Sequence, residues 1–416
     1  MGMLALFPWL KLREPLRAGP FHLVPYSPRH GLPAEVPCSV SPEDMSRVVS
    51  PYRASVQHRL ANLAVLQYDG RAIGAEFSPA DREALFRFAR YFAVAGISTR
   101  RYDGNVLGSY SATGHYQLIV QGFPEPFTGS ISVTHPRKDG STTILIGASD
   151  HVFLMPEYLV NQYQLELDHS LLEALMATKG KLSDEDQGCV EAAINQFLLA
   201  NTDAPDSPWD VECVSTYAAL ERLVDAGHRW PDLKKKLTPV LQIVERAPWR
   251  ERLVSEFEFT LDPERNSFQE WLKHLHNLRG NAGHGYPFGK MRQSRWTQQE
   301  MLMAGALLFP LALKCWLAGK EIYQLTVDDT AKVMAFDALL GTEPYFGKPG
   351  RPGDPFRDPR ESSAWLKCLG DIEMAVASFE LSQTIGDVMV NQTAKGNFDG
   401  SEEASAEPAD DRSSLV

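Results

Sequence analysis

The stretch SFQEWLKHLHNLRGNAGHGYPF, residues 267–288, changes character half-way along. Its first part sets Phe268, Trp271, Leu272, Leu275 and Leu278 at the three- and four-residue intervals of one helical face. Its second part holds Gly280, Gly283 and Gly285 within six residues, with Arg279 and His284 five positions apart. Arg279 follows Leu275 by four and Leu272 by seven, so it falls on the apolar stripe, at the predicted C-terminal end of the helix. A cation suits that end, but where it meets a core it needs an anion. The glycines predict a turn that brings His284 back toward the same surface. Guanidinium grips phosphate oxygens and imidazole moves protons near neutral pH, so the pair suits a phosphodiester.

Working outward, the helical period continues on both sides. SDEDQGCVEAAINQFLLAN opens on the capping pattern Ser183–Asp186, and WDVECVSTYAALERLVDAG puts Cys213, Tyr217, Leu220 and Val224 on one face. TQQEMLMAGALLFPLALKCWLAG begins with the capping box Thr297–Glu300, contains Pro310 and closes on Gly319. Its apolar run stops at Lys314 after thirteen residues, which predicts a core helix rather than a bilayer crossing. Together these segments predict an all-α antiparallel bundle over 151–340.

Ahead of it, residues 1–150 read as a mixed α/β module, so the whole is α+β. LANLAVLQYDG and YQLIVQGF look like strands, ISVTHPRKDGSTTILIGA looks like a hairpin around Asp139-Gly140, and a helix starts at the Ser78 cap. Residues 1–55 are Pro-rich and without period, and are expected to extend over other elements. His115, His135, Asp150 and His151 have no ligand spacing and are expected to be structural. Residues 341–390 form a Gly/Pro-rich linker and a helix carrying Trp365, Leu369, Ile372, Val376 and Phe379; the acidic, Ser-rich 391–416 is expected to be disordered.

The 416 residues carry a net charge of −12, unevenly spread. Residues 227–300 hold thirteen Lys/Arg against nine Asp/Glu, whereas 326–416 hold eight against seventeen. The five cysteines are dispersed, which argues against a disulfide framework or a zinc site and for a reducing compartment. The apolar start of the chain precedes its basic residues, the reverse of an export signal, and Leu6 stands where a myristoylation signal needs Ser or Thr. A cytoplasmic protein without a membrane partner is expected.

An Arg, four residues, then His-Gly, after an amphipathic helix and with YAALERLV upstream, resembles the signature of the HEPN superfamily, including its Apea-like defence group. The resemblance covers roughly 183–320. It implies a metal-independent endoribonuclease, usually a homodimer with two motifs facing each other, in antiphage, toxin–antitoxin or stress systems. It assigns the motif positions to Arg279 and His284 and makes Glu221 a partner for the Arg. Family members commonly carry a polar residue, often Asn, directly after the Arg; here Gly280 holds that place and Asn281 comes one step later.

The chemistry follows. No carboxylate cluster or His/Cys set is evident to hold a metal, so neither metal nor cofactor is expected. The nucleophile then comes from RNA as its 2′-hydroxyl, with His284 as general acid or base and Arg279 stabilising charge on the phosphate. Lys234, Lys235 and Lys236, in DLKKKL, form either a solvated face or a track for the RNA backbone. His274 and His276 are expected to be exposed helix residues. Glu221 is either a flank residue or an orienter of Arg279. The alternative is a non-catalytic HEPN-like module that binds RNA, a nucleotide or a partner such as an antitoxin or sensor protein.

Overall fold

The computed structural model describes residues 2–100, 111–136, 142–147, 152–159, 165–253, 266–283, 296–341 and 374–381, apart from isolated positions within these spans. It is a mixed α/β protein. Strands β1 (Gly2–Phe7), β2 (Leu16–Ala18), β3 (Phe21–Tyr26), β5 (Leu63–Tyr68), β6 (Ile119–Phe123), β7 (Ile131–Pro136) and β8 (Thr142–Gly147) form one sheet in the order β2-β3-β5-β1-β6-β7-β8. Every neighbouring pair in it is antiparallel. A second, two-stranded sheet pairs β4 (Tyr52–Arg53) with β9 (Phe153–Leu154) in parallel.

The expectation for residues 1–55 is overturned here. Rather than an extended cover, β1 is a central strand with all six residues buried. Met3, Ala5 and Phe7 enter one core while Leu4 and Leu6 enter another. A strand buried on both faces loses the apolar/polar alternation that betrays a strand, and that is why GMLALF shows no period. The predicted strands at β5 and β6 and the hairpin β7–β8 are present, although Asp139-Gly140 lies outside the described residues.

Each face of the sheet has its own cover. Helix α1 (Pro42–Val49), capped by the Ser41 hydroxyl, places Met45, Val48 and Val49 against Leu4, Leu6, Val24 and Val65. Helix α2 (Pro79–Ile97) starts on the Ser78–Asp81 capping box and places Leu85, Phe88 and Phe92 on the other face. From there the core runs without a break into the helices: α3 (His169–Ala177), α4 (Asp184–Leu199), α5 (Trp209–Leu223), α6 (Trp230–Leu241), α7 (Asn266–Gly283), α8 (Gln298–Gly319) and α9 (Val327–Gly341). Of these, α3, α6 and α9 join the four helices expected from the sequence. Of the C-terminal helix expected from the sequence, described residues fall only within 374–381, which are helical, with Val376 and Phe379 buried. Thr297, most of 341–390 and all of 391–416 lie outside the described residues.

Helix α5 packs against α4, α7 and α8 and is the axis of the helical region. Its crossing with α8 is close at Gly305, where a Cβ would collide with the methyl group of Thr216. A glycine there lets the two backbones approach. Helix α8 is the one described helix long and apolar enough to cross a membrane, and 72% of its most apolar window is buried inside the protein.

Lys314 does not interrupt the buried part of α8, as its charge predicts. It is itself buried, with Nζ 2.6 Å from Asp168 Oδ2 and 2.6 Å from Asp329 Oδ1. Asp168 also caps α3 through the Leu171 amide, at 2.9 Å. Asp329 accepts from the Tyr323 hydroxyl at 2.7 Å and from the Thr326 amide at 3.0 Å. A buried ammonium is tolerated when carboxylates and their own donors surround it in this way.

Candidate functional site

Two helical pairs meet where α5 lies against α7. Tyr217 and Glu221 are one turn apart on α5, and His276 and Arg279 are one turn apart on α7. The apolar residues at 268, 271, 272, 275 and 278 anchor α7 in the core and so fix the height and rotation of the two polar side chains. Arg279 donates to Glu221, with Nη1 2.9 Å from Oε1. Its guanidinium carbon lies 5.1 Å from the centre of the Tyr217 ring. The Tyr217 hydroxyl is 3.1 Å from His276 Nδ1, and the two rings stand 5.3 Å apart at a tilt of 54°.

Exposure grades across the cluster. Tyr217 is fully buried, the Glu221 side chain is 9% exposed and that of Arg279 is 27% exposed. The site is anchored in the core and opens outward on the Arg279 side.

Burial sets the electrostatics. It pushes the Glu221 carboxyl above the usual carboxylate range, although the charges of Arg279, His228 and Arg222 oppose it. Burial, then the Glu221 charge, pushes the Tyr217 phenol well above its ordinary value, so it keeps its proton. Burial, then the neighbouring Arg279, pushes His276 below the ordinary histidine value, so its imidazole is neutral at physiological pH. The result is an edge of hydrogen-bond donors with one fixed positive charge.

The sequence predicts a turn directly after Arg279; instead α7 runs on to Gly283, so Gly280, Asn281 and Gly283 are helical. Gly280 does not have the positive φ that demands glycine, and a Cβ there would meet nothing within 4 Å. With no turn at 280, Arg279 stands a full turn before the helix end and is held by Glu221 rather than by the helix terminus. Asn281 is rotated about 200° from Arg279 around the helix, and no described contact joins it to the cluster. His284 lies outside the described residues.

The three lysines of α6 differ in their surroundings: Lys234 is half-buried, and Lys235 and Lys236 are exposed. Leu233, Leu237 and Leu241 bury one face of that helix. Lys234 donates to Gln269 Oε1 on α7 at 2.6 Å, and Lys236 bonds the Asp225 carbonyl and carboxylate. Lys235 is exposed and has no described partner. Lys235 and Lys236 are both displayed at the surface, Lys236 in an exposed ion pair. Among the predicted structural histidines, His115 is buried and accepts from the Ala112 amide at 3.0 Å, while His151 and Asp150 lie outside the described residues.

His274 and His276 are half-buried rather than exposed, because both sit on the flank of the apolar stripe of α7. Sequence reasoning thus leaves Tyr217 and His276 out of the site. The signal was present: an aromatic–acid pair spaced i,i+4 on one helix and an imidazole–guanidinium pair spaced i,i+3 on another. Knowing that α5 faces α7 is what joins them.

Among the described residues no three His, Cys, Asp or Glu side chains gather as a metal-ion ligand set. The described cysteines Cys38, Cys189, Cys213 and Cys315 are free thiols. No family model, curated protein or solved structure matches the chain.

Proposed function

We propose that the chain is a HEPN-type endoribonuclease that cuts RNA by attack of its own 2′-hydroxyl. The observation that carries this reading is the Arg279–Glu221 pair, 2.9 Å across two packed helices, with one side of the guanidinium left open. An arginine clamped from behind presents its remaining N–H groups in a fixed direction, as recognition of a planar phosphate group requires.

In this mechanism Arg279 binds the non-bridging oxygens of the scissile phosphate and stabilises the charge that builds on them. His284 takes the proton from the 2′-hydroxyl as its oxygen bonds to phosphorus. The P–O5′ bond breaks, O5′ receives a proton, and the products end in a 2′,3′-cyclic phosphate and a 5′-hydroxyl. Proton transfer of this kind contributes about 10²–10⁴-fold. Glu221 holds Arg279 and touches no substrate, so it is a positioning residue. The protein acts in the cytoplasm as a homodimer through its helical bundle, in antiphage defence, as a toxin or in a stress response, under an antitoxin or sensor protein.

The test is incubation of the purified full chain with RNA in EDTA. Cleavage with cyclic-phosphate ends is expected; cleavage that needs an added divalent ion contradicts the mechanism. A second reading, a HEPN-like module that binds RNA, a nucleotide or a partner without cutting, is favoured by one feature. The position after Arg279 is Gly280, and Asn281 is turned away from the cluster. Tight RNA binding with no cleavage under any condition would select it.

A further inference from the structure

We infer that His276 is a second phosphate-binding group, acting beside Arg279 through its Nε2–H. This rests on the proposed reading of the site and adds a residue that reading does not use. The two side chains lie one turn apart on α7, both partly exposed, so one phosphate can touch both.

The tautomer follows from the neighbours of Tyr217. Its hydroxyl lies 3.1 Å from His276 Nδ1, while the Arg279 guanidinium stands over its ring, 5.1 Å from the ring centre. A guanidinium can only donate, whereas an imidazole nitrogen can donate or accept. The phenol retains its proton, and His276 Nδ1 is the one described hydrogen-bond acceptor within its reach, so that proton points to Nδ1. Nδ1 is then the acceptor, and the ring's hydrogen sits on Nε2. No described residue bonds Nε2, and it is not among the buried polar atoms lacking partners, so it opens to solvent.

Other charged groups agree with this arrangement. From α5 the imidazole faces the neutral Tyr217 and, beyond it, Glu221, which is occupied by Arg279. On its own helix the nearest charge is Arg279, which disfavours a second cation beside it. A neutral N–H donor next to a fixed cation suits an anionic oxygen. Tyr217 therefore positions both members of the clamp: its ring lies under Arg279 and its hydroxyl fixes the His276 tautomer.

The experiment uses the full chain labelled with ¹⁵N-histidine, titrated first with inorganic phosphate and then with a non-cleavable 2′-deoxy oligonucleotide. His276 should show the Nε2–H tautomer, and its signal should shift saturably with either probe. His276→Ala should weaken oligonucleotide binding roughly tenfold, as loss of one hydrogen bond to an anion does, and His276→Gln should recover part of it. Tyr217→Phe should yield a tautomer mixture. A structural role alone, tying α5 to α7, would leave binding by folded His276→Ala unchanged, and that result overturns the inference, as does an Nδ1–H tautomer. The two levels separate cleanly. A phosphate-responsive His276 in a protein that cuts no RNA leaves the clamp standing and removes the ribonuclease. RNA cleavage with an unresponsive His276 does the reverse.

Discussion

The cluster around Lys314 and the cluster around Arg279 are built from the same parts. Each has a cation on one helix, a carboxylate on another and a tyrosine ring beneath the cation, at 5.9 Å for Lys314–Tyr323 and 5.1 Å for Arg279–Tyr217. They differ in closure. Lys314 has two carboxylates, and Asp329 has two further donors, the Tyr323 hydroxyl and the Thr326 amide, beside the ammonium. Arg279 has one carboxylate behind it and an open side. Burial raises the cost of charge in both places, yet Asp329 ends below the ordinary carboxylate range because the Lys314 charge and hydrogen bonds outweigh burial. Glu221 ends above it. A satisfied ionic cluster stabilises a fold; one left incomplete on a single side holds binding capacity for something else.

The largest effect expected is on stability at the closed cluster. Lys314→Met leaves Asp168 and Asp329 facing each other without a cation, and should cost about 3–5 kcal/mol in denaturant unfolding. A loss below about 1 kcal/mol would mean that the cluster is wet, and the contrast with Arg279 would collapse. Arg279→Ala should do the opposite: RNA cleavage falls about 10²–10³-fold, as on losing one donor to a developing anion, while stability drops less than in Lys314→Met.

The pH dependence sharpens the same contrast. Asp329 is depressed in the folded state, so its contribution is present above its unfolded value of 3.8 and is lost as pH falls through the folded value. Lys314 is raised despite burial, which acts against it, because Asp329 and Asp168 hold its proton; its contribution is present below 10.5 and is lost as pH rises through the folded value. Unfolding midpoints should therefore stay level in the neutral range and fall at both ends, and Lys314→Met should flatten the ends. Glu221 has the reverse sign. Its raised value favours folding below 4.5 and works against it at neutral pH. Glu221→Gln should thus leave stability at pH 7 equal or higher while cleavage falls, so activity and stability should move in opposite directions. A fall in both would show that Glu221 holds the fold together as Asp329 does.

How much of this was legible in the sequence depended on periodicity. The spacing places α4, α5 and α8 with near-correct ends, and α7 with a correct start. Strand β1 was not legible, because burial on both faces removes the period. Nor was the course of α7 past Arg279: glycine lowers helix propensity locally, but five large side chains anchored in the core carry the helix through. At the site, the sequence marked Arg279 as a cation needing an anion, and the HEPN resemblance offered Glu221 for that place. Tyr217 and His276 were not, since their meeting depends on which face α5 turns toward α7.

The smallest effect tests that account of α7. Gly280→Ala fills open space on a helical backbone and should stabilise the protein by about 1 kcal/mol, with cleavage unchanged. A loss of stability would mean that the backbone at 280 is not helical in solution.

The most direct test of the central claim, that the open cluster handles the phosphodiester of RNA, is a comparison of the parent and Arg279→Ala on one RNA and its singly 2′-deoxy counterpart in EDTA. The account predicts that the parent cuts the RNA to 2′,3′-cyclic phosphate and 5′-hydroxyl ends, that the 2′-deoxy site resists, and that folded Arg279→Ala cuts neither at more than a few per cent of the parent rate. Equal cutting by Arg279→Ala, or cutting of the deoxy site, would contradict it.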